Sequence, residues 1–279
     1  SLDKGAFLYE VETKKLVNIL DTKDCFSASI SNDNKYICIT GMYRTTVTVY
    51  NDYSKKNEEQ RIIRLVAVLY SLESKSRIKD FQLSETLDHE IKVSFLSVDK
   101  SYRSYFFNSC FTLNSKYLIF ANPNGVISPY SFDKSDFINN FVGHEDQVFY
   151  VGVSPDGNYL ASGSKDETAK IWNISTGKSI KTLKGHSDDV NSICFSPDSK
   201  YIVTSSDDKT IKVWEVNSTK LIKTLTAFDN DVISVAFSPD GRYIAAAGKD
   251  KKLILWNAEK IIPEMKLFIA EFDATVGLN

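Results

Sequence analysis

The chain has 279 residues, of which 42% are hydrophobic, 12% aromatic and 25% charged, a balance that argues against disordered and membrane classes. A formal net charge of −2 leaves no global positive field to draw the chain onto phosphate backbones. Lysines outnumber arginines by 28 to 6, which weakens a nucleic-acid reading further, because bidentate phosphate and guanine contacts favour arginine.

No apolar run approaches the roughly 18 residues needed to span a bilayer, and charge interrupts the first twenty residues, so no signal peptide is expected. Cys25, Cys38, Cys110 and Cys194 show no CxxC spacing and fall mostly in apolar, strand-like runs; they read as buried free thiols of a reducing, intracellular (cytoplasmic or nuclear) compartment. Because the first residue is Ser1 rather than Met, the chain is read as a domain or processed piece.

Trp172, Trp214 and Trp256 stand 42 residues apart and close matching phrases, Lys170-Ile171-Trp172-Asn173, Lys212-Val213-Trp214-Glu215 and Ile254-Leu255-Trp256-Asn257. A fixed period near forty marks a repeat architecture, in which each unit buries its core only against its neighbours. In chain order, the run from Tyr9 to Leu16 mirrors Trp214 to Leu221, so the sequence opens in mid-unit. Ser31-Asn32-Asp33-Asn34 then reads as a turn leading to a strand at Val47 to Tyr50, with Tyr50 in the tryptophan role. The stretches Ser54 to Arg61 and Ser71 to Ser76 read as loops, and Asp88 to Ser94 aligns with Asp208 to Trp214. Thr112-Leu113-Asn114-Ser115 is a further turn, with Tyr117 and Tyr130 one period before Tyr159 and Trp172.

From Phe141 the pattern is explicit. Gly143-His144 and Gly185-His186 open two units, with Ala227-Phe228 at the matching place in the third. The apolar stretches Val148 to Val153, Val190 to Phe195 and Val232 to Phe237 follow and read as strands packed on both sides. Ser154-Pro155-Asp156-Gly157, Ser196-Pro197-Asp198-Ser199 and Ser238-Pro239-Asp240-Gly241 reverse the chain, proline pre-setting φ and the last residue taking the left-handed region. Second strands start at Tyr159, Tyr201 and Tyr243; turns carry Asp166, Asp208 and Asp250; third strands end on the tryptophans; weaker fourth strands cover Ser179 to Leu183 and Leu221 to Leu225. Four antiparallel strands per unit make a propeller blade. Terminal positions at Tyr9, Tyr50, Ser94, Tyr130, Trp172, Trp214 and Trp256 predict an all-β, seven-bladed propeller in one domain over 1–279, regular over 141–257 and divergent over 1–140. Its first blade is completed in part by Lys266 to Ala270 and Ala274 to Leu278, or the natural protein continues beyond this sequence; the second is the expectation.

Ser162, His144 and Asp166 are the residue types of a nucleophilic triad. Thr204, His186 and Asp208 recur at the same spacings one unit later, and an enzyme rarely needs two copies side by side, so the constellation reads as structural. His89 lies in a polar run without companion ligands, and neither a metal site nor a cofactor is expected.

The Gly-His pairs, Ser-Pro-Asp-Gly turns, turn aspartates and terminal tryptophans of residues 141–257 resemble the WD-repeat β-propeller family. The Trp-Asp dipeptide of that family stands here as Trp172-Asn173, Trp214-Glu215 and Trp256-Asn257, so its second letter is loose. The resemblance implies buried hydrogen-bonded networks of Asp166, His144, Ser162 and Trp172 and of Asp208, His186, Thr204 and Trp214, with a third, broken set keeping only Asp250 and Trp256.

It also implies a docking face at one end of the ring, to which three positions per blade point: Lys165, Asp207 and Lys249; Phe149, Asn191 and Ile233; Gln147, Asp189 and Asp231. Phe107 with Tyr105, and Phe26 with Asp24, are the counterparts in the divergent blades, so that Phe26, Phe107, Phe149 and Ile233 ring an exposed channel mouth. The expected function is a non-catalytic scaffold for a protein or peptide partner within a larger chain or complex. The alternatives are an RNA-processing or other nucleic-acid-associated scaffold, and a propeller hydrolase.

Overall fold

The computed structural model describes residues 6–9, 16–20, 25–51, 56–71, 73–74, 77–87 and 108–262, and the chain divides into two compact units, Ser1–Ser109 and Cys110–Asn279. In the first unit, β1 (Ala6–Tyr9) pairs antiparallel with β2 (Leu16–Leu20). β3 (Cys25–Ile30), β4 (Tyr36–Asn51), β5 (Lys56–Ser71) and β6 (Arg77–Leu87) form a four-stranded antiparallel sheet in that order.

This sheet corrects two expectations. Val47 to Tyr50 is not a third strand but the far end of β4, which runs unbroken and pairs with β5 from Tyr36↔Ser71 to Asn51↔Lys56. Lys56 to Arg61 accordingly lies in β5 rather than in a loop. The tryptophan register belongs to Tyr70, which pairs with Ile37 as Trp172 pairs with Leu160. Residues 73–74 form a turn within the expected loop after Ser71, whereas Ser94, His89 and the region 263–279 lie outside the described residues.

The next sheet contains β7 (Ser109–Phe111), β8 (Tyr117–Ala121), β9 (Val126–Ser131), β10 (Asp136–Phe137) and β11 (Phe141–Val142). Its outer strand comes in two pieces, β10 opposite Tyr130 and Ser131 and β11 opposite Val126 and Ile127. Pro129 explains the break. Its carbonyl accepts from Ile138 N at 2.9 Å, so its ring nitrogen points to the same edge and offers no donor there.

Regular sheets follow: β12 (Val148–Val153), β13 (Tyr159–Ser164), β14 (Ala169–Asn173) and β15 (Ser179–Leu183); then β16 (Val190–Phe195), β17 (Tyr201–Ser206), β18 (Thr210–Glu215) and β19 (Leu221–Thr226). The last has β20 (Val232–Phe237), β21 (Tyr243–Gly248) and β22 (Leu253–Asn257), ending in a 3-10 turn over Ala258–Lys260. Six sheets are therefore present among the described residues, and the complete ones have the four antiparallel strands of propeller blades.

One turn joins the first two strands of five sheets. Asn34, Ser115, Gly157, Ser199 and Gly241 all take φ between 53° and 75°. In each turn a Ser or Thr hydroxyl accepts the backbone N–H of the tyrosine that opens the next strand: Ser31 from Tyr36, Thr112 from Tyr117, Ser154 from Tyr159, Ser196 from Tyr201 and Ser238 from Tyr243. The same hydroxyl donates to the Asp or Asn two residues on, at 2.5–2.8 Å. The divergent sheets thus keep the hydrogen bonds of the turn without its proline.

Within the second unit the core lies between successive sheets. Ile119, Ile127 and Phe141 pack with Val151, Leu160 and Trp172; Ile171 and Leu183 with Ile193, Ile202 and Trp214; Val203, Ile211 and Val213 with Val235, Ile244 and Ala246. β20 departs from the expectation of a strand buried on both sides, since Ile233 is 46% exposed. No sheet follows it within the described residues of this unit, and Leu253 and Leu255 are 73% and 60% exposed where the equivalent Ile211 and Val213 are buried. Cys38 is buried, Cys110 and Cys194 are half-buried, and all three are free thiols.

A Cβ at Gly163 would lie 2.8 Å from Val190 O and 2.9 Å from Val190 Cγ1 across a sheet–sheet seam, whereas one at Gly152 meets nothing nearer than 3.6 Å. Gly163→Ala is therefore expected to lose about 1–3 kcal/mol in urea unfolding through overpacking, with a smaller effect for Gly152→Ala. Equal effects would contradict the seam geometry.

Candidate functional site

The triad-like residues form a one-directional chain of hydrogen bonds. The indole N–H of Trp172 has only a donor to offer, and it donates to Ser162 Oγ at 2.8 Å. Asp166 Oδ2 can only accept from His144 Nδ1, 2.7 Å away, so that nitrogen carries the proton. His144 Nε2 is then left to accept the Ser162 hydroxyl at 2.6 Å. The next sheet repeats this geometry: Trp214 donates to Thr204 at 2.9 Å, and His186 lies 2.7 Å from both Thr204 Oγ1 and Asp208 Oδ2.

Sequence separates these groups by up to 28 positions, and the fold brings them together from the opening loop, the second strand, the turn and the third strand. Each carboxylate also ties the turn to the loop. Asp166 accepts from Glu145 N at 3.0 Å, Thr168 N at 3.0 Å and Thr168 Oγ1 at 2.6 Å; Asp208 accepts from Ser187 N, Thr210 N and Thr210 Oγ1. Burial opposes ionisation of both aspartates. The hydrogen bonds from His144 and Thr168, or from His186 and Thr210, outweigh it and hold each carboxyl well below the usual carboxylate range.

A hydrolase needs the serine free to attack a substrate. Here Ser162 and Thr204 are fully buried, the imidazole side chains are 0% and 1% exposed, and the hydroxyl already accepts an indole N–H. The arrangement supports the packing of Trp172 and Trp214 and presents no nucleophile.

The third sheet replaces the chain with a different set. Phe228 stands for the histidine, its ring centroid 6.1 Å from that of Trp256, and Ala246 stands for the hydroxyl residue. Gly248 replaces Ser164 and Ser206, and a Cβ there would come within 2.5 Å of Phe228, so the wider ring requires the glycine. Asp250 keeps its loop contact by accepting from Asp229 N at 3.0 Å, and the Lys252 ammonium lies 3.3 Å away, where the other sheets use a threonine.

The predicted docking positions sit on β-bulges. Val148 pairs with Ser164 and Tyr150 with Gly163, leaving Phe149 as the extra residue; Asn191 and Ile233 are extra in β16 and β20, and Phe26 in β3. Each is the second residue of its strand. Beside them, Lys165 N donates to Gln147 O, Asp207 N to Asp189 O and Lys249 N to Asp231 O, at 2.8–3.0 Å. Lys249 and Asp231 also form an ion pair at 3.6 Å. Asn191 Nδ2 donates to Asp207 Oδ1 at 2.6 Å and to Val232 O of the next sheet.

One expectation is overturned here. Phe149 is only 4% exposed and is buried instead of ringing an exposed channel mouth. Among the members of the set whose side chains are described, Ile233 is the exposed apolar one. Tyr105, Phe107 and Asp24 lie outside the described residues. The bulges themselves carry no residue-type signal. Asp188, Asp189 and Asp207 bring carboxylate oxygens within 4.8 Å of one another.

The family model described as WD domain, G-beta repeat matches residues 135–173, 177–215 and 219–257. Residues 135–257 thus carry three consecutive WD repeats. It is also similar to proteins described as ribosome biogenesis protein BOP1 homologs from Drosophila virilis, Drosophila erecta and Drosophila melanogaster, 58% identical in each case over 40 residues, or 14% of this chain. The match spans 5% of the length of each of these relatives. No helix among the described residues is long and apolar enough to cross a membrane.

A carboxyl whose folded-state pKa lies below its unfolded value contributes stability that is fully present above the unfolded value and is lost as pH falls through the folded one. The melting-temperature deficit of Asp208→Asn against the parent chain is therefore expected to hold constant from pH 7 to about 5 and to shrink below about pH 4. A deficit that grows on acidification would contradict the ionised network.

Proposed function

We propose that this chain is a non-catalytic WD-repeat scaffold, in one propeller domain, that presents the bulge-bearing end of its blades to a protein or peptide partner inside a larger complex. The observation that carries this reading is the contrast between the two sets of polar residues. The Ser-His-Asp constellation is buried and hydrogen-bonded internally. Ile233, Lys249 and Asp231, with the acidic cluster of Asp188, Asp189 and Asp207, offer an apolar side chain amid charges at adjoining blade ends. An apolar centre rimmed by charge is the usual composition of an interface.

A second, narrower reading places the scaffold in ribosome biogenesis, in a nuclear or nucleolar setting. It rests on the short similarity to the BOP1 homologs. On this reading the contacts are with proteins of the assembly, since the net charge of −2 gives no general attraction for RNA.

Affinity recovery of bound proteins from a lysate, with the parent chain and Ile233→Asp compared at matched folded concentration, tests the interface. Ile233→Asp is expected to lose at least one specific partner by about tenfold while its melting temperature stays near that of the parent, because the side chain is already half-exposed. An unchanged set of partners would sink the assignment. Recovery of ribosome-assembly proteins that survives nuclease treatment would favour the second reading, and loss of those proteins on nuclease treatment would contradict it.

A further inference from the structure

The seams between blades of the second unit are closed in different ways. Between β12–β15 and β16–β19, Lys181 of the outer strand reaches across, and its ammonium donates to the carbonyl of Val216, at 2.7 Å, and to that of Asn217. These carbonyls belong to the turn after β18, which closes with Thr219 N donating to Glu215 O at 2.9 Å and is anchored by Val216 N donating to Lys200 O at 2.8 Å.

One period earlier the same turn recurs. Gly177 N donates to Asn173 O at 2.9 Å and Ile174 N to Asn158 O at 3.2 Å, so the carbonyls of Ile174 and Ser175 stand in the same local frame. The residue one period before Lys181 is Asn139. It lies in the segment that leaves the ladder opposite Pro129, and its side chain is both too short to cross and uncharged. A groove of about 600 Å³ opens at this seam, lined by Asn139, Ile138, Phe141, Ile174 and Ser175 among others. It continues into one of about 380 Å³ that shares Tyr117, Ile138, Phe141, Ile174 and Ser175. The seam lies at the opposite end of β14 from the turn that carries Asp166, so it is separate from the bulge-bearing face.

The geometry points to this groove as a docking site for a lysine-bearing segment of a partner protein, whose ammonium binds the Ile174 and Ser175 carbonyls as Lys181 binds those of Val216 and Asn217. Tyr117, Ile138 and Phe141 supply an apolar bed for the four-carbon stem of the lysine. Backbone carbonyls fix the ammonium by hydrogen bonds that are stronger for a charged donor than for a neutral one. Lys134 and Asp136 give the groove's lining one charge of each sign, leaving the carbonyl pair as the feature that selects a cation. Pro129 removes the ladder donor, Asn139 removes the internal lysine, and together they leave open a socket that the neighbouring seam fills from within.

The natural probe is the segment that fills the neighbouring seam: an N-acetylated, C-amidated peptide with the sequence Lys178 to Leu183, and the same peptide with norleucine for Lys181. Titration of the isotope-labelled full chain by NMR is expected to give saturable shifts at the Ile174, Ser175 and Asn139 amides. The norleucine peptide should bind about tenfold more weakly or less. Asn139→Lys, which supplies the ammonium internally, should abolish the response, as should Ser175→Trp, which blocks the groove sterically. Absence of saturable shifts at peptide concentrations up to about 5 mM, at the weak end of specific association, would overturn the proposal. So would binding that is indifferent to the norleucine exchange or that persists in both variants. Ile233→Asp, which alters only the other face, should leave the response intact; this separates failure of the groove from failure of the interface at the bulges.

Discussion

A buried indole N–H must find an acceptor, and the second unit is organised around where that acceptor stands. Trp172 and Trp214 fill the space between successive sheets and are 0% and 2% exposed. An unsatisfied donor there would cost about 1–3 kcal/mol, so the hydroxyl of Ser162 or Thr204 is needed on the adjacent strand. That hydroxyl then has its own proton to place, which requires His144 or His186, and the remaining imidazole proton requires Asp166 or Asp208. The aspartate takes its last contacts from the loop that opens the blade. One packing choice thus fixes a chain of donors and acceptors that joins a loop, a turn and two strands. Each link has only one orientation that satisfies all the others, which explains why the pattern recurs as a whole at the period of 42 residues.

The last sheet shows what happens when the chain is given up. Phe228, Ala246 and Gly248 change together: the ring packs on Trp256, the hydroxyl is absent, and the glycine makes room for the ring. The turn still needs its aspartate for the loop N–H, and Lys252 brings an ammonium beside Asp250 from the position that holds threonine in the other sheets. No further sheet among the described residues of this unit packs on β20–β22, and there Trp256 is half-buried while Leu253 and Leu255 are exposed.

Much of this was legible in the sequence, for reasons that can be named. The Ser-Pro-Asp-Gly turn rests on a hydroxyl, a carboxylate or amide, and a left-handed residue, so it could be followed into Ser31 to Asn34 and Thr112 to Ser115 after the proline had gone. The grouping of His144, Ser162, Asp166 and Trp172 came from a family pattern, and its donor–acceptor logic only from the geometry. Tyr50 was misplaced because alternation along Tyr36 to Asn51 marks a strand without marking its length, and the charged run from Lys56 to Arg61 looks like a loop when it is an arm of a long hairpin. Phe149 was read as exposed because burial at its position depends on what packs over it, which residue type does not reveal. Asn191, Phe149 and Ile233 occupy the same bulge yet are half-buried, buried and exposed, according to what packs on them. The break at Pro129 could have been read as a proline inside a strand, but its consequence for the seam depends on which edge the ring nitrogen faces.

The central claim is that tryptophan and hydroxyl act as a unit rather than as separate packing residues, and a double-mutant cycle on Thr204 and Trp214 tests it most directly. Thr204→Val removes the hydroxyl with little change of shape, Trp214→Phe removes the indole N–H, and the two are combined in a third variant, with unfolding free energies measured in urea. Coupling of about 1 kcal/mol or more between the two sites is the expected result, since removing either group strands the other in a buried position. Additive losses within about 0.3–0.5 kcal/mol would contradict the account and reduce the hydrogen-bonded chain to a by-product of packing.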